Sequence, residues 1–371
     1  MTDHFVFERS DAPRAQSLLS RRAVLRGGVT TAAGLALAIG VGRPALAAPP
    51  GHRRRLRVLI ATNEPWGTYH VQPLLAEAVR RRWQVTQLVP DLSQITPGDP
   101  VPVATPDTAP AADLLVVTGA GDWPLECAHR FARLPSTASS LAYLGPQEAP
   151  GARWLRHRLR TITSSSPAEA RAFGGYLGTR RRIRVVGSPQ TDTLPEHWPE
   201  PGLVLVLTSV THSDDTGGAA PGTELLLAAA EQLAAAGRHI LVGLHPREDP
   251  ALWDRYEISK VPSVRAAARA EAAIGIPGTV FPLVAAVGVP LVGCTDPALS
   301  VPEYLLSVCS STIDDPAEAV NAVAGARLPS PDILADAVGP VGGSAARLLD
   351  AWAATAAAHD ARPAAHLAAR R

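Results

Sequence analysis

The stretch HILVGLHPREDP (239–250) decides the fold class. Its first residues form a continuous apolar run, which is typical of a strand buried on both faces of a parallel sheet. The run stops at His245-Pro246 and continues into charged residues. Ligands of α/β folds bind beyond the carboxyl ends of parallel strands. His245 is therefore predicted either to face a ligand cleft or simply to end the strand.

Similar apolar runs alternate with helical patterns along the rest of the chain, and this alternation predicts doubly wound parallel sheets. The pattern restarts at RIRVVGSP (182–189), which predicts two sheets in series. The predicted fold class is α/β, with two Rossmann-like domains that face each other across a GT-B-like cleft, plus a C-terminal helix. The strands that define the pattern are LRVLIAT (56–62), WQVTQLVP (83–90), DLLVVTGAGD (113–122), LVLVLTSV (203–210), AAIGIPG (272–278) and VPLVGC (289–294), with SLAYLG (140–145) and TITSS (161–165) as two shorter candidates.

Four segments are predicted on this basis. Residues 1–47 form a signal peptide, 48–178 an N-terminal Rossmann-like domain, 179–330 a C-terminal, nucleotide-side Rossmann-like domain, and 331–371 an alanine-rich helix or tail. The segment 97–112 is rich in proline and is predicted to be a surface loop.

Composition excludes several classes of function. The formal net charge of +1 argues against a protein that binds nucleic acid by neutralising its phosphates. The three cysteines form no CxxC pair, so neither a zinc site nor a disulfide framework is predicted, and pairing of Cys294 with Cys309 stays open. No metal and no cofactor are implied. Arginines cluster at 21–22, 53–55, 80–82 and 180–182, where solvated ends of elements are the simplest interpretation.

The first fifty residues are typical of an export signal. Arg21-Arg22 precede the short, moderately apolar segment 29–42, and an Ala-x-Ala site follows at Ala45 to Ala47. Paired arginines before such a segment resemble the twin-arginine signal of bacteria. We therefore expect export by the twin-arginine translocase, cleavage near Ala47, and no stable membrane anchor afterwards. The alternative is a cytoplasmic protein with a spurious signal.

Four stretches resemble a known superfamily. VVGSPQTDTL (185–194) resembles the segment that opens the C-terminal domain of UDP-N-acetylglucosamine 2-epimerases and related GT-B glycosyltransferases. GLHPRED (243–249) is similar to the His-Pro segment of bacterial polysialyltransferases and glycerophosphotransferases. IPGTVFPLVAAVGVPLVG (276–293) resembles the nucleotide-side loop, helix and strand of that superfamily. In the first half, GTYHVQPLLAEAV (67–79) looks like the Gly-x-x-His-x-x-Pro segment of many GT-B enzymes.

The resemblance implies roles for particular residues. On the donor side, His245, Arg247, Gly278, Thr279 and Ser188 are expected to bind the phosphates of a nucleotide-activated donor. This role suits a histidine, an arginine and unsatisfied N–H groups at a helix N-terminus. On the acceptor side, His70 is expected to act as a general base, with Glu64 orienting it or acting as the base itself. Asp192 and Gly67 are expected to line the cleft.

The predicted function is transfer of a glycosyl or related group from a nucleotide-activated donor, with a nucleotide sugar or another phosphorylated small molecule as ligand. Two alternatives stay open. One is a non-catalytic, exported, bilobal binding protein for a small anionic or glycan ligand. The other is a sugar-nucleotide epimerase, which the absence of a carboxylate in Phe281-Pro282-Leu283 disfavours because epimerisation needs acids and bases around the sugar.

Overall fold

The computed structural model describes residues 55–143, 150–209, 221–245 and 248–368. All of them belong to one compact unit, Arg53–Arg371. The predicted signal segment and Arg247 lie outside the described residues, so the expectations about them stay predictions.

Two parallel sheets form the frame of the described chain, as the sequence predicts. The first has the order β3-β2-β1-β4-β5-β6-β7 and the second the order β10-β9-β8-β11-β12-β13. All strand pairs within them are parallel. The strands are β1 (Arg57–Ala61), β2 (Gln84–Leu88), β3 (Val103–Ala104), β4 (Leu114–Val117), β5 (Ser136–Ser139), β6 (Leu159–Ser164), β7 (Arg184–Val185), β8 (Leu203–Leu207), β9 (His239–Gly243), β10 (Glu257–Ile258), β11 (Ala272–Gly275), β12 (Leu291–Cys294) and β13 (Ser311–Ile313).

Helices cover the faces of both sheets. They are α1 (Leu75–Arg80), α2 (Asp122–Arg130), α3 (Ala152–Arg158), α4 (Pro167–Tyr176), α5 (Thr223–Ala235), α6 (Ser263–Ala266), α7 (Phe281–Val287), α8 (Glu303–Leu306), α9 (Ala319–Gly325), α10 (Pro331–Val338) and α11 (Ser344–Ala368). Among the described residues, none of these helices is long and apolar enough to cross a membrane.

The central strands are buried along their whole length because helices pack on both faces. Every residue of β4 and of β8 is buried. In each sheet the order of strands reverses beside the first strand, at β1–β4 and at β8–β11. These are the switch points at which a doubly wound sheet leaves a crevice beyond its carboxyl ends.

The strand at the start of the predicted second domain belongs to the first sheet. β7 lies within RIRVVGSP and pairs with β6, with Thr163 opposite Arg184 and Ser164 opposite Val185. A two-residue edge strand carries no apolar alternation that would assign it to one sheet or the other. Only the pairing with β6 settles its place.

The C-terminal helix also returns to the first sheet. Leu348, Leu349 and Trp352 of α11 are fully buried in the same cluster as Val58 and Val116 of β1 and β4. The alanine-rich helix predicted for the end of the chain is therefore present, but it completes the N-terminal core.

Sequence patterns missed the polar strand β5. The prediction placed a strand at SLAYLG, whereas the sheet uses the preceding residues Ser136–Ser139. These residues are buried and polar, and neighbours satisfy their hydroxyl groups: Trp352 Nε1 donates to Ser139 Oγ at 2.9 Å, and Thr137 Oγ1 donates to the carbonyl of Thr161 at 2.8 Å. A strand held by such contacts has no hydrophobic signature.

The VVGSPQTDTL segment anchors the start of α11. Both carboxylate oxygens of Asp192 accept hydrogen bonds, from the backbone N–H of Ser344 at 2.6 Å and of Ala345 at 2.8 Å. Gly187 has a φ of +88°, and a Cβ there would lie 2.3 Å from the carbonyl oxygen of Pro340. Arg347 Nε donates to the carbonyl of Val186 at 2.8 Å. This segment therefore has a structural role that its resemblance to a cleft segment did not indicate.

Replacing Asp192 with alanine removes the cap of α11. We expect Asp192→Ala to lower the free energy of unfolding by about 1–2 kcal/mol, because two N–H groups at the N-terminus of the helix lose their acceptor. Urea denaturation measures the change. Asp350→Ala is the matched control: it lies on the same helix, its side chain is 65% exposed and it pairs with Arg81, so its effect should be within about 1 kcal/mol. Equal effects of the two variants would contradict the capping role.

Candidate functional site

The loop after β1 is held against the end of β4. The N–H of Asn63 donates to Thr118 Oγ1 at 2.9 Å, and the hydroxyl of Tyr176 donates to Asn63 Oδ1 at 3.3 Å. Gly119 lies so close beneath them that a Cβ would meet the Tyr176 ring at 2.3 Å and Asn63 Nδ2 at 2.6 Å. The switch point of the first sheet is therefore closely packed, and it directs the following residues outward.

A buried glutamine fixes the path of that loop. Gln87 on β2 is fully buried and donates through Nε2 to the carbonyl of Pro65 at 2.8 Å. Thr62 Oγ1 donates to the carbonyl of Glu64 at 2.6 Å. The chain then forms the 3-10 turn Thr68–His70. Because both ends of the loop are anchored to strands, the side chains of Glu64 and His70 have a defined position.

Glu64, Tyr69 and His70 form one cluster at this edge. The hydroxyl of Tyr69 donates to Glu64 Oε2, and the same oxygen lies 3.8 Å from His70 Nε2. The rings of Tyr69 and His70 are 4.2 Å apart. A Cβ on Gly67 would lie 3.1 Å from both Glu64 Cβ and His70 Cδ2. Gly67 thus allows the carboxylate and the imidazole to approach each other, and this gives a specific reason for its place beside the cleft.

Glu64 is the more accessible of the two predicted acid–base residues. Its side chain is 38% exposed, whereas that of His70 is 12% exposed. His70 Nδ1 is buried and has no hydrogen-bond partner among the described residues. The carboxylate, rather than the imidazole, is therefore the group that a solute at this edge meets first.

His245 comes from the other sheet. Its backbone N–H donates to Thr208 Oγ1 at 2.9 Å, so the residues after β9 and β8 are linked just beyond their strand ends. Its carbonyl accepts from the N–H of Glu248 at 2.9 Å. The chain thus turns sharply after His245, and the half-buried side chain stays at the carboxyl edge of the second sheet.

Tyr69 brings the two edges together. Its ring lies edge-on to the ring of His245, with 6.3 Å between the centroids and 87° between the planes. The structure therefore places Glu64, Tyr69 and His70 of the first sheet beside His245 of the second. Sequence reasoning missed Tyr69. The signal available was an aromatic residue between Gly67 and His70, inside the very motif that pointed to this edge.

Gly278 and Thr279 lie in the turn between β11 and α7, next to the switch point of the second sheet. Thr279 is exposed, and a Cβ on Gly278 would meet only the carbonyl oxygen of Ile276, at 3.8 Å. Packing therefore does not require glycine here, and the turn has open space above it. The following Phe281 and Leu283 are buried in the core, so the first turn of α7 presents apolar atoms to the protein interior.

Two predicted site residues are not brought to this edge as ligand groups. Ser188 is fully buried, and its hydroxyl accepts from the N–H of Gln190 at 3.3 Å. Asp192 caps α11 with both oxygens. Donor contact by Ser188 and a cleft position for Asp192 therefore have no support from these hydrogen bonds, and both stay predictions.

Metal ligation and thiol chemistry have no geometric basis in the part of the chain that the structure describes. No group of three or more His, Cys, Asp or Glu side chains there could hold a metal ion. All three cysteines are free thiols. Burial raises the pKa of the Cys294 and Cys309 thiols to about 12, so they remain protonated at neutral pH and are poor nucleophiles.

Comparison with known proteins gives the fold but no family. No family model matches the chain, and no curated protein matches it. Among solved structures, the wall teichoic acid polymerase TagF is 11% identical, with 81% of this chain and 88% of that chain covered and a TM-score of 0.52. The UDP-GlcNAc 2-epimerase of Methanocaldococcus jannaschii, in complex with UDP-GlcNAc and UDP, is 11% identical, with 80% and 99% covered and a TM-score of 0.50.

The chain has a GT-B-like fold. The two parallel-sheet α/β halves and the structural neighbours confirm the predicted fold class of two Rossmann-like domains. At such low identities, the likeness carries the arrangement of the chain and nothing about its ligands.

Proposed function

We propose that this protein transfers a glycosyl or related group from a nucleotide-activated donor to a hydroxyl acceptor. The observation that carries the proposal is the meeting of Glu64, Tyr69 and His70 from one sheet edge with His245 from the other. An acid–base cluster after a strand of the first sheet and the imidazole of His245 after a strand of the second thus lie beside each other. Both lie beyond the carboxyl ends of parallel strands, where α/β folds bind their ligands.

In the proposed reaction the acceptor oxygen forms a bond to the reacting carbon of the donor. The bond between that carbon and the diphosphate oxygen breaks, and its electron pair stays on the diphosphate. Glu64 takes the acceptor proton, since it is the exposed member of the cluster. Tyr69 and His70 hold the carboxylate in place, and His245 donates to the developing charge on the diphosphate.

The turn at Gly278 and Thr279 supplies the rest of the proposed donor site. Its open space permits the close approach of a phosphate, and the hydroxyl of Thr279 is exposed. Arg247 is proposed to add positive charge beside the leaving group. The TagF structure was soaked with CDPG, and the epimerase structure contains UDP-GlcNAc and UDP. A nucleotide-linked donor is the ligand class that these neighbours support for the proposal.

The rival functions fit the geometry less well. A binding protein without catalysis predicts that Glu64 and His70 lie away from the second sheet, whereas Tyr69, which contacts both, lies beside His245. A sugar-nucleotide epimerase needs a second acid or base on the donor side. The described residues at the start of α7 provide none, because Phe281 and Leu283 are buried and the first turn of that helix carries no acidic residue.

Binding of the donor is tested by thermal stability of the purified full chain with UDP, CMP, CDP, GDP, their common sugar conjugates and inorganic diphosphate. A ligand at about 100 times its dissociation constant should add about 2.7 kcal/mol to the stability of the folded state. We expect one nucleotide class to stabilise the protein and His245→Ala to remove the effect. His239→Ala is the matched control, because His239 begins the same strand β9 and pairs with Glu257 at 3.1 Å. Stabilisation by none of these ligands would refute the donor site.

Catalysis is tested by Glu64→Gln, which keeps the shape of the side chain and removes its basicity. We expect the turnover number to fall about 10²- to 10⁴-fold, the usual contribution of a positioned general base, while the stabilisation by donor stays unchanged. Release of free nucleotide from the donor in the presence of acceptor is the measurement. Glu126→Gln, at an exposed glutamate of α2, is the control. Unchanged turnover in Glu64→Gln would assign the proton transfer elsewhere.

We also propose that the protein is exported by the twin-arginine route, which the Arg21-Arg22 pair and the Ala-x-Ala site support. The variant Arg21→Lys/Arg22→Lys keeps the charge, and we expect it to leave the protein in the cytoplasm of the producing bacterium. Cell fractionation measures this, with Arg53→Lys/Arg54→Lys as control. Equal export of both variants would contradict the twin-arginine route, and retention of the unaltered protein in the cytoplasm would favour the cytoplasmic alternative.

A further inference from the structure

Two adjoining cavities lie at the amino-terminal edge of the first sheet. Their volumes are about 520 Å³ and about 480 Å³, and both are lined by His157 and Arg181, so they form one groove. The first cavity is also lined by Ala132, Arg133, Leu134, Pro135, Arg158, Leu159, Arg160 and His359, and the second by Arg156, Gly178, Thr179 and Arg180.

This groove is separate from the site at the carboxyl edge. Pro135 immediately precedes β5, and Arg158 immediately precedes β6. Because all strands of the sheet are parallel, these residues lie at the edge opposite to that of Glu64. The strands between the edges have four to six residues, which corresponds to a separation of about 13–20 Å.

The groove concentrates positive charge in a protein whose formal net charge is only +1. Six arginines and two histidines line it, and no aspartate or glutamate is among the described residues that do so. The solvated-end interpretation of the Arg180–Arg182 cluster does not explain this arrangement, since residues from four separate stretches of the chain contribute to one surface.

Backbone carbonyl groups hold three of these guanidinium groups. Arg181 donates through Nη1 to the carbonyl of Leu159 at 2.8 Å and through Nη2 to that of Arg160 at 3.2 Å. Arg156 donates to the carbonyl of Gly178, and Arg158 to that of Ala132. A neutral carbonyl orients a guanidinium without cancelling its charge. Three of the six arginines therefore have a defined position, and each of these three keeps its positive charge and has further N–H groups.

Several arginines elsewhere on the protein are paired with carboxylates instead. Arg269 donates to both carboxylate oxygens of Glu200, at 2.6 and 3.0 Å, and Arg255 pairs with Glu231. Those charges are neutralised locally, and they serve as the natural controls for the arginines of the groove.

Two nitrogen atoms of the groove have no partner. Arg158 Nε and His359 Nδ1 are buried and make no hydrogen bond within the part of the chain that the structure describes. Buried polar atoms in native proteins are nearly always paired with protein, water or a ligand. Both residues line the first cavity, so the two unpartnered nitrogen atoms belong to side chains that border it.

We propose that this groove binds a soluble chain of phosphates, such as an oligophosphate or the phosphate-bearing part of a polymer. A guanidinium group can donate two parallel hydrogen bonds to two oxygen atoms of one phosphate. Several guanidinium groups on one surface therefore favour a ligand with several phosphates over a single anion. The continuity of the two cavities suits an extended ligand. This site is independent of the transfer reaction proposed for the opposite edge.

Isothermal titration of the full chain with inorganic tripolyphosphate tests the proposal. We expect binding that weakens as ionic strength rises, because the interaction is electrostatic. The variant Arg160→Gln/Arg181→Gln should weaken binding by at least about tenfold, which is the loss expected when charged hydrogen bonds are removed. The control Arg255→Gln/Arg269→Gln changes the net charge equally and should leave the affinity within about twofold.

Further variants and a second ligand distinguish the possible outcomes. Arg133→Gln, at an exposed position of the groove, replaces the double variant if thermal unfolding shows that the latter is not folded. His245→Ala should keep its affinity for tripolyphosphate, so failure here and failure of the transferase proposal are distinguishable. No binding by the wild type, or an equal loss in the control, overturns the proposal. Binding only to phosphatidylglycerol-containing vesicles, and not to tripolyphosphate, overturns it as well and assigns the groove to a lipid surface.

Discussion

The hydrogen bonds between Asp192 and the first turn of α11 hold together the parts of the chain on which the site depends. After the second sheet, the chain returns to the first as α11, and Trp352 of this helix is buried in the core of the first sheet. On the way, α10 packs beside α4, and the hydroxyl of Tyr143 donates to the carbonyl of Val338 at 2.7 Å. The two carboxyl edges are held next to each other as a result, and Tyr69 reaches His245.

Within the site, the two edges supply different chemistry. The first edge carries a carboxylate whose position is fixed by a tyrosine hydroxyl and a nearby imidazole, and the second carries His245, with its backbone anchored to Thr208. Helix α7 of the second sheet begins with buried apolar residues. Only the turn before it, with Gly278 and Thr279, can therefore offer polar groups to a ligand. This asymmetry fits the proposed transfer reaction better than a reaction that needs acids and bases on both faces of a sugar.

The two edges of the first sheet also carry different charged side chains. Its carboxyl edge carries the carboxylate of Glu64, whereas its amino edge carries a group of six arginines, three of which are held by backbone carbonyl groups. The net charge of +1 does not show this difference, because carboxylates elsewhere offset the charge of the arginines. Arg57, for example, is paired with Asp113. The distribution of partners, rather than the number of charges, decides which arginines are available to an anion.

The α/β class, the central strands and the position of His245 just after a strand could all be predicted from the sequence. Apolar runs such as LVLVL are buried strands in any parallel sheet, and a residue that ends such a strand, like His245, must lie at its carboxyl edge. Contacts between residues that are far apart in the sequence could be seen only in the three-dimensional structure. Two of these contacts, the capping of α11 by Asp192 and the contact of Tyr69 with His245, join residues more than a hundred positions apart. A third, the pairing of β7 with β6, involves a strand without a hydrophobic pattern. Such contacts leave no periodic signal, because local propensity and alternation report only on neighbours along the chain.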